Sequence, residues 1–329
     1  MKGGAGYRER LEGVPEERWG SVLAAESGLP GPRANLALAS AAAELASPAL
    51  RARWRGSDDE FEALCGTIAL GWDLLGAVHH GAAGDGEASA APVIGELAGA
   101  VRHDAAGDGE AGAAPFIWEL VRSAGDARWR VREGVAMALQ HVGDVEPGLM
   151  WRIAEQWTTR ATALMNVARL GLASGEGDAD DADAQHVLAS GMLLLRAVVA
   201  AIAEPRLVRD RESALRGQAL LEAAMTAITR PGDGCEAPSA PTAELREARR
   251  VLRQTLGYGW SVLAVGTPDE AFDTLDRWAE AGDADARWIV AQNCRKARLR
   301  RLDPARADAL RKRCEPPSPP APPATPAVP

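Results

Sequence analysis

The chain is short of the residues that build β-sheets. Only 2 Tyr and 3 Phe occur in 329 residues, against 10 Trp, and runs of β-branched residues are scarce. Strands favour those side chains, so the composition argues against a sheet-based fold. Cysteine is thin as well. Cys65, Cys235, Cys294 and Cys314 stand apart, with no C-x-x-C or C-x-H spacing, which excludes the usual zinc and dithiol motifs. Scattered cysteines of this kind read as reduced thiols of a cytoplasmic protein. The opening stretch, MKGGAGYRERLEGVPEERW, lacks the apolar segment of a signal peptide. The longest greasy run, Gly191 to Ala203, is interrupted by Arg196 and falls short of the ~20 residues a bilayer crossing needs. It reads as a buried helix, and no membrane association is expected.

Catalytic signatures are missing too. The sequence has no G-x-x-x-x-G-K-[ST], no strand-flanked G-x-G-x-x-G, no H-E-x-x-H and no G-x-S-x-G elbow. No catalytic residue, cofactor or metal is assigned on this reading.

Alanine and leucine dominate what is present, within a hydrophobic share of 47%. Both lose little side-chain entropy in a helix, so the expected class is all-α. The net charge of −9 and a pI near 5.2 favour solubility and provide no general attraction to phosphate.

Three segments look unlike packed structure. The tail 315–329, EPPSPPAPPATPAVP, is too rich in proline for helix or sheet and reads as a disordered, polyproline-prone tail. The stretches 174–185 and 230–242 read as an acidic loop and a Gly/Pro loop. Residues 76–121 hold a tandem duplication, GAVHHGAAGDGEASAAPVIGELA followed at once by GAVRHDAAGDGEAGAAPFIWELV. Each copy predicts a Gly/Asp/Glu loop and a short helix opening at Pro92 or Pro115. Its carboxylates, with His79, His80 and His103, lack the ordered ligand spacing of a calcium loop, so the segment reads as a flexible insertion. The expected organisation is an N-terminal helical segment at 1–57, a helical repeat domain at 58–314 and the tail at 315–329.

Short amphipathic helices fill the remainder. Asn35 is placed to cap one, and the acids before Phe61 suit the positive end of another. In WRVREGVAMALQHV, Val131, Val135, Ala138, Leu139 and Val142 form an apolar stripe, with Arg132, Glu133 and Gln140 outside it. Trp19, Trp54, Trp72, Trp151, Trp157 and Trp260 read as core or boundary residues whose N–H finds an acceptor.

One hexapeptide pattern occurs twice. Asp-Ala-Arg-Trp-x-Val spans Asp126 to Val131 and again Asp285 to Val290, each time after a Trp-containing helix carrying Trp118 or Trp278. Both copies predict a helix, a Gly-Asp turn and a second helix, with the aspartate capping and the tryptophan and valine facing inward. Units that cannot bury their apolar faces alone stack on their neighbours, at periods of about 40 residues. At GDARWRVREGVAMAL the chain resembles the HEAT-repeat family, whose aspartate, valine, arginine and alanine positions match Asp126, Val131, Arg132 and Ala136. The later copy keeps Asp285 and Val290 but has Ala291 and Arg295 at the last two. The EPRLV, LRQTLGYGWSV and RWI segments are similar to those of bacterial HEAT-like proteins. The resemblance implies an α-solenoid of HEAT-like helical pairs, serving as a non-catalytic scaffold that binds a protein partner in a concave groove.

A second resemblance leads elsewhere. Trp118, Asp126, Trp129 and Arg132 follow the order found in helical-repeat alkylpurine DNA glycosylases, which implies Arg132 at a DNA phosphate and Trp129 near the backbone or lesion. Trp72 and Asp73, in GWDLL, form the nearest fragment to that family's catalytic cluster. From Arg287 to Arg313 basic residues predominate and only Asp303 and Asp308 oppose them within the segment. Such a patch could track a phosphate backbone, or be a solvated last helix. The candidate partner- or DNA-binding residues are therefore Trp129, Arg132, Trp288, Arg295, Lys296, Arg298, Arg300 and Arg301.

Overall fold

A computed structural model describes residues 4–31, 33–82, 112–174, 178–229 and 240–315. Among them the regular structure is entirely helical, as a chain of strong helix formers with few sheet-forming residues should be. The helices are α1 (Gly4–Glu12), α2 (Trp19–Glu26), α3 (Leu36–Leu45), α4 (Pro48–Arg55), α5 (Glu60–Ala82), α6 (Ala114–Ala124), α7 (Trp129–Val145) and α8 (Pro147–Ser174). They continue with α9 (Asp178–Ile202), α10 (Arg211–Thr229), α11 (Ala243–Leu263), α12 (Pro268–Glu280), α13 (Ala284–Cys294), α14 (Ala297–Leu302) and α15 (Pro304–Cys314). Residues 316–329 of the tail, the first copy's Pro92 helix and most of the duplicated Gly/Asp/Glu loops lie outside the described residues.

Local chemistry explains where several helices start. The Asn35 side chain accepts from Leu38 N at 3.1 Å and opens α3. Ahead of α5, Asp59 Oδ1 accepts from both Phe61 N and Glu62 N, at 2.9 and 2.8 Å. Each of these bonds satisfies an orphan amide of the first turn. Proline in the first turn opens α4, α6, α12 and α15, where its missing N–H costs nothing.

The odd-numbered helices from α1 to α15 pack each on the next, and α4, α6, α8, α10, α12 and α14 lie against that row. Close approach within the row has a sequence cause. A Cβ on Gly71 of α5 would meet the Ala138 carbonyl oxygen of α7 at 2.6 Å, so only glycine permits this crossing without a shift.

Burial divides the apolar residues into two clusters. One joins α1–α4 to the first half of α5 through Leu11, Trp19, Leu38, Trp54, Phe61 and Ile68. The other runs from Leu70 to Cys314. Helix α5 thus contributes to both clusters. Trp19, Trp54, Trp151, Trp157 and Trp260 are buried and Trp72 packs at the edge of the first cluster. Trp19 Nε1 donates to Val14 O at 2.9 Å. The indole N–H groups of Trp54, Trp157 and Trp260 meet no acceptor among the described residues, so area burial outweighs the lost hydrogen bond at these positions.

Among the described residues two helices, over Glu60–His80 and Asp181–Ile202, are long and apolar enough to cross a membrane by length and composition; 67% and 78% of their most apolar windows are buried inside the fold. The second extends the Gly191–Ala203 run backwards through a polar first turn.

Candidate functional site

The turn between α6 and α7 is held from both sides. Asp126 accepts from Arg128 N at 2.7 Å, from Arg128 Nε at 3.0 Å and from Arg128 Nη2 at 2.9 Å. Burial opposes the Asp126 charge, but the Arg128 hydrogen bonds outweigh it and hold the carboxyl below the usual aspartate range. Arg128 Nη1 also donates to Ser57 O at 2.8 Å, tying the turn to the α4–α5 connection. From inside α7, Arg132 Nη1 reaches back to the carbonyls of Asp126 and Ala127 at 2.5 and 2.9 Å.

This placement differs from the helical-wheel expectation that Arg132 lies outside. Its side chain is 8% exposed, and burial lowers its pKa from the ordinary arginine value. The two hexapeptides also differ in register. Helix α7 starts at Trp129, whereas α13 starts at Ala284 and is capped by Asp283, not Asp285. Val131 and Val290 are buried as expected. Trp129 is instead 47% exposed, with the Arg130 guanidinium 3.5 Å from its ring centroid. Trp288 is half-buried against Gly257 of α11, beneath the Arg253 guanidinium at 4.1 Å. Asp285 pairs with Arg249 and Arg253 at 2.7 and 3.0 Å.

Beside the turn lies a pocket of about 680 Å³. Trp129 and Arg132 of α7 form one wall, with Arg128 and Glu60 at the rim. Arg196 of α9 and Tyr258 of α11 line it as well, and Glu247, Arg250, Val251, Gln254 and Thr255 complete the α11 side. Arg250 grips Glu247 with Nε and Nη2, both at 2.7 Å, and donates from Nη1 to Gln254 Oε1 at 3.1 Å. The Arg250 hydrogen bond holds the Glu247 carboxyl below its usual range. Arg196 Nη1 donates to the Arg132 carbonyl at 2.6 Å. Burial lowers the Arg196 pKa and raises that of the Tyr258 phenol.

Of the residues singled out from sequence, Trp129 and Arg132 meet in this pocket. Trp288, Arg295, Lys296, Arg298, Arg300 and Arg301 do not line it. The basic C-terminal segment is also more balanced than its local sequence indicates. Arg306 pairs with Asp273 and Asp276 at 2.6 and 2.7 Å, and Arg313 with Asp276 at 2.5 Å, all from α12. Glu315 receives Arg295 and Arg311, both at 2.8 Å. Arg301 Nε bonds the Ala297 carbonyl at 3.1 Å. Lys296, Arg298 and Arg300 remain exposed, with no carboxylate paired to them among the described residues. Asp73, in turn, is held by Arg51 at 2.8 Å and Arg55 at 2.7 Å, so its carboxylate is committed to the α4–α5 contact. Trp72 stacks on His141 with ring centroids 3.6 Å apart.

Arg196 and Tyr258 were missed from sequence. A lone arginine inside a greasy helix was the available signal for the first. Among the described residues no group of three His, Cys, Asp or Glu side chains could hold a metal ion. Compared with known protein families, with characterised proteins and with solved structures, the chain returns no match.

Proposed function

We propose that the chain is an α-solenoid of HEAT-like helical pairs that holds a protein partner along the exposed face of its odd-numbered helices, without chemistry of its own. The observation that carries this reading is the pocket opened between α7, α9 and α11, consecutive members of that row. Stacked helical pairs present an extended face of this kind and use it for binding. A pocket with apolar, aromatic and charged lining of both signs suits a polypeptide segment. The cytoplasm is the compartment that goes with Cys65, Cys294 and Cys314, which are unbridged.

The test is affinity capture from native extract with three forms of the full chain: wild type, a rim variant (Arg250→Glu with Gln254→Arg) and a control variant on the opposite layer (Glu222→Arg). The reading expects one protein retained by wild type and control and lost by the rim variant. Identical capture by all three contradicts it.

A second reading is DNA binding, favoured by the exposed Lys296, Arg298 and Arg300. It expects duplex binding, followed by fluorescence anisotropy, that weakens steeply with salt and is lost when these three are changed to glutamate. Flat anisotropy at low salt removes it.

A further inference from the structure

Arg196 is an unusual cation for this protein. It sits mid-way along the apolar α9, largely buried, and forms no ion pair among the described residues. Among the described residues its one hydrogen bond spends Nη1 on the Arg132 carbonyl. The Nε and Nη2 edge is left over. That edge is the one this protein uses elsewhere to grip carboxylates: Arg206 on Asp144 at 2.7 and 3.0 Å, and Arg250 on Glu247 at 2.7 Å twice. Planar, two-point recognition of a carboxylate is the strongest use of a guanidinium. Tyr258 lines the same pocket, and its hydroxyl makes no hydrogen bond among the described residues.

The remaining cations of the pocket are already engaged. Arg128 is bound to Asp126, Arg132 to two carbonyls through Nη1 and to Glu247 through Nη2 at 3.9 Å, and Arg250 to Glu247. A buried charge without a counter-ion destabilises the fold that holds it, and one anion of matching shape removes that penalty. A phosphodiester backbone brings charges in succession and needs a row of open cations. Of the four arginines that line this pocket, Arg196 alone has no carboxylate partner among the described residues, and Glu247 and Glu60 line the pocket as well.

We infer that the Arg196–Tyr258 floor of the pocket is a receptor for a single carboxylate side chain, a glutamate or aspartate presented by the protein partner, whose backbone crosses the rim at Gln254 and Trp129. This rests on the reading of the groove as a protein-binding face, and it specifies the partner as one with an acidic anchor residue.

The experiment titrates the full chain into a labelled, capped Glu-Gly repeat peptide, with labelled oligo(dT) in a parallel arm, by fluorescence anisotropy at low salt. Arg196→Met should bind the peptide at least tenfold more weakly while melting no lower than wild type, since it removes an unpaired buried cation. Arg196→Lys, which keeps charge but not the fork, and Tyr258→Phe should both weaken binding and fold normally. The triple variant Arg298→Glu, Arg300→Glu, Arg301→Glu should bind the peptide as wild type does. Undiminished peptide binding by all three pocket variants overturns the inference, and so does loss confined to the triple variant. Oligo(dT) binding that disappears with Arg196→Met, without peptide binding, reassigns the floor to phosphodiesters. Peptide binding at Arg196 with no protein captured through the rim leaves the carboxylate site standing and removes the scaffold reading instead.

Discussion

Arg132 is the residue at which a structural and a contact role make opposite predictions. Its Nη1 closes the α6–α7 turn through the Asp126 and Ala127 carbonyls at 2.5 and 2.9 Å, and its side chain is 8% exposed. Hydrogen bonds from a charged donor contribute roughly 1.5–3 kcal/mol each. Removing both would cost roughly 3–6 kcal/mol if nothing relaxed. Part is recovered in Arg132→Ala, because a buried cation is no longer held out of water and the exposed Ala127 can turn its carbonyl to solvent. About 2–3 kcal/mol of destabilisation remains, a large share of the ~5–15 kcal/mol by which domains are stable. Urea denaturation followed by circular dichroism should show the midpoint falling by ~1 M with an unchanged slope. Arg132→Lys, able to serve one carbonyl, should lose about half as much. A variant within ~0.5 kcal/mol of wild type that nonetheless loses its ligand would refute the staple and return Arg132 to the binding surface.

Three further outcomes follow from particular contacts. Asn293, fully buried, accepts from Ser261 N at 3.0 Å and donates to the Leu256 and Ile289 carbonyls at 2.8 and 2.9 Å. Asn293→Leu removes these bonds, two of which tie α13 to α11, and should cost about 3 kcal/mol, read as a drop in urea midpoint. Burial raises the Cys65 thiol, and burial with the nearby Cys314 pushes Cys294 up to about 12. Both should resist iodoacetamide at pH 8 until the chain unfolds, as peptide mapping would show. Burial opposes the Asp276 charge, yet Arg306 and Arg313 outweigh it and depress its pKa. A depressed carboxylate stabilises the fold above its unfolded pKa, near 4, and that contribution fades as pH falls through the lower folded value. Asp276→Asn should therefore lose less melting temperature than wild type between pH 7 and pH 3.

Much of the helical framework was readable locally, because its causes are local. Alanine and leucine, the Asn35 cap and the α7 apolar stripe all act within a turn or two of chain. The site was less readable because its causes cross the fold. Asp126 and Asp285 share a hexapeptide, yet one helix begins after its aspartate and the other before it, so Trp129 and Trp288 sit at different heights. Arg132 counts as outward on a helical wheel, but the preceding turn folds over it. The 287–313 segment counts as basic until α12 brings Asp273 and Asp276 against it. Arg196 was legible only as an interruption in a greasy run, since Tyr258, its neighbour in the pocket, lies far along the sequence.

Site-specific photocrosslinking tests the central claim most directly. A photoreactive residue at Gln254, on the pocket rim, is compared in cells with one at Glu222, on the opposite layer. The account predicts one dominant protein adduct at position 254, absent at 222 and competed by the Glu-Gly peptide. Equal labelling from both positions, or adducts to nucleic acid alone from 254, would contradict it.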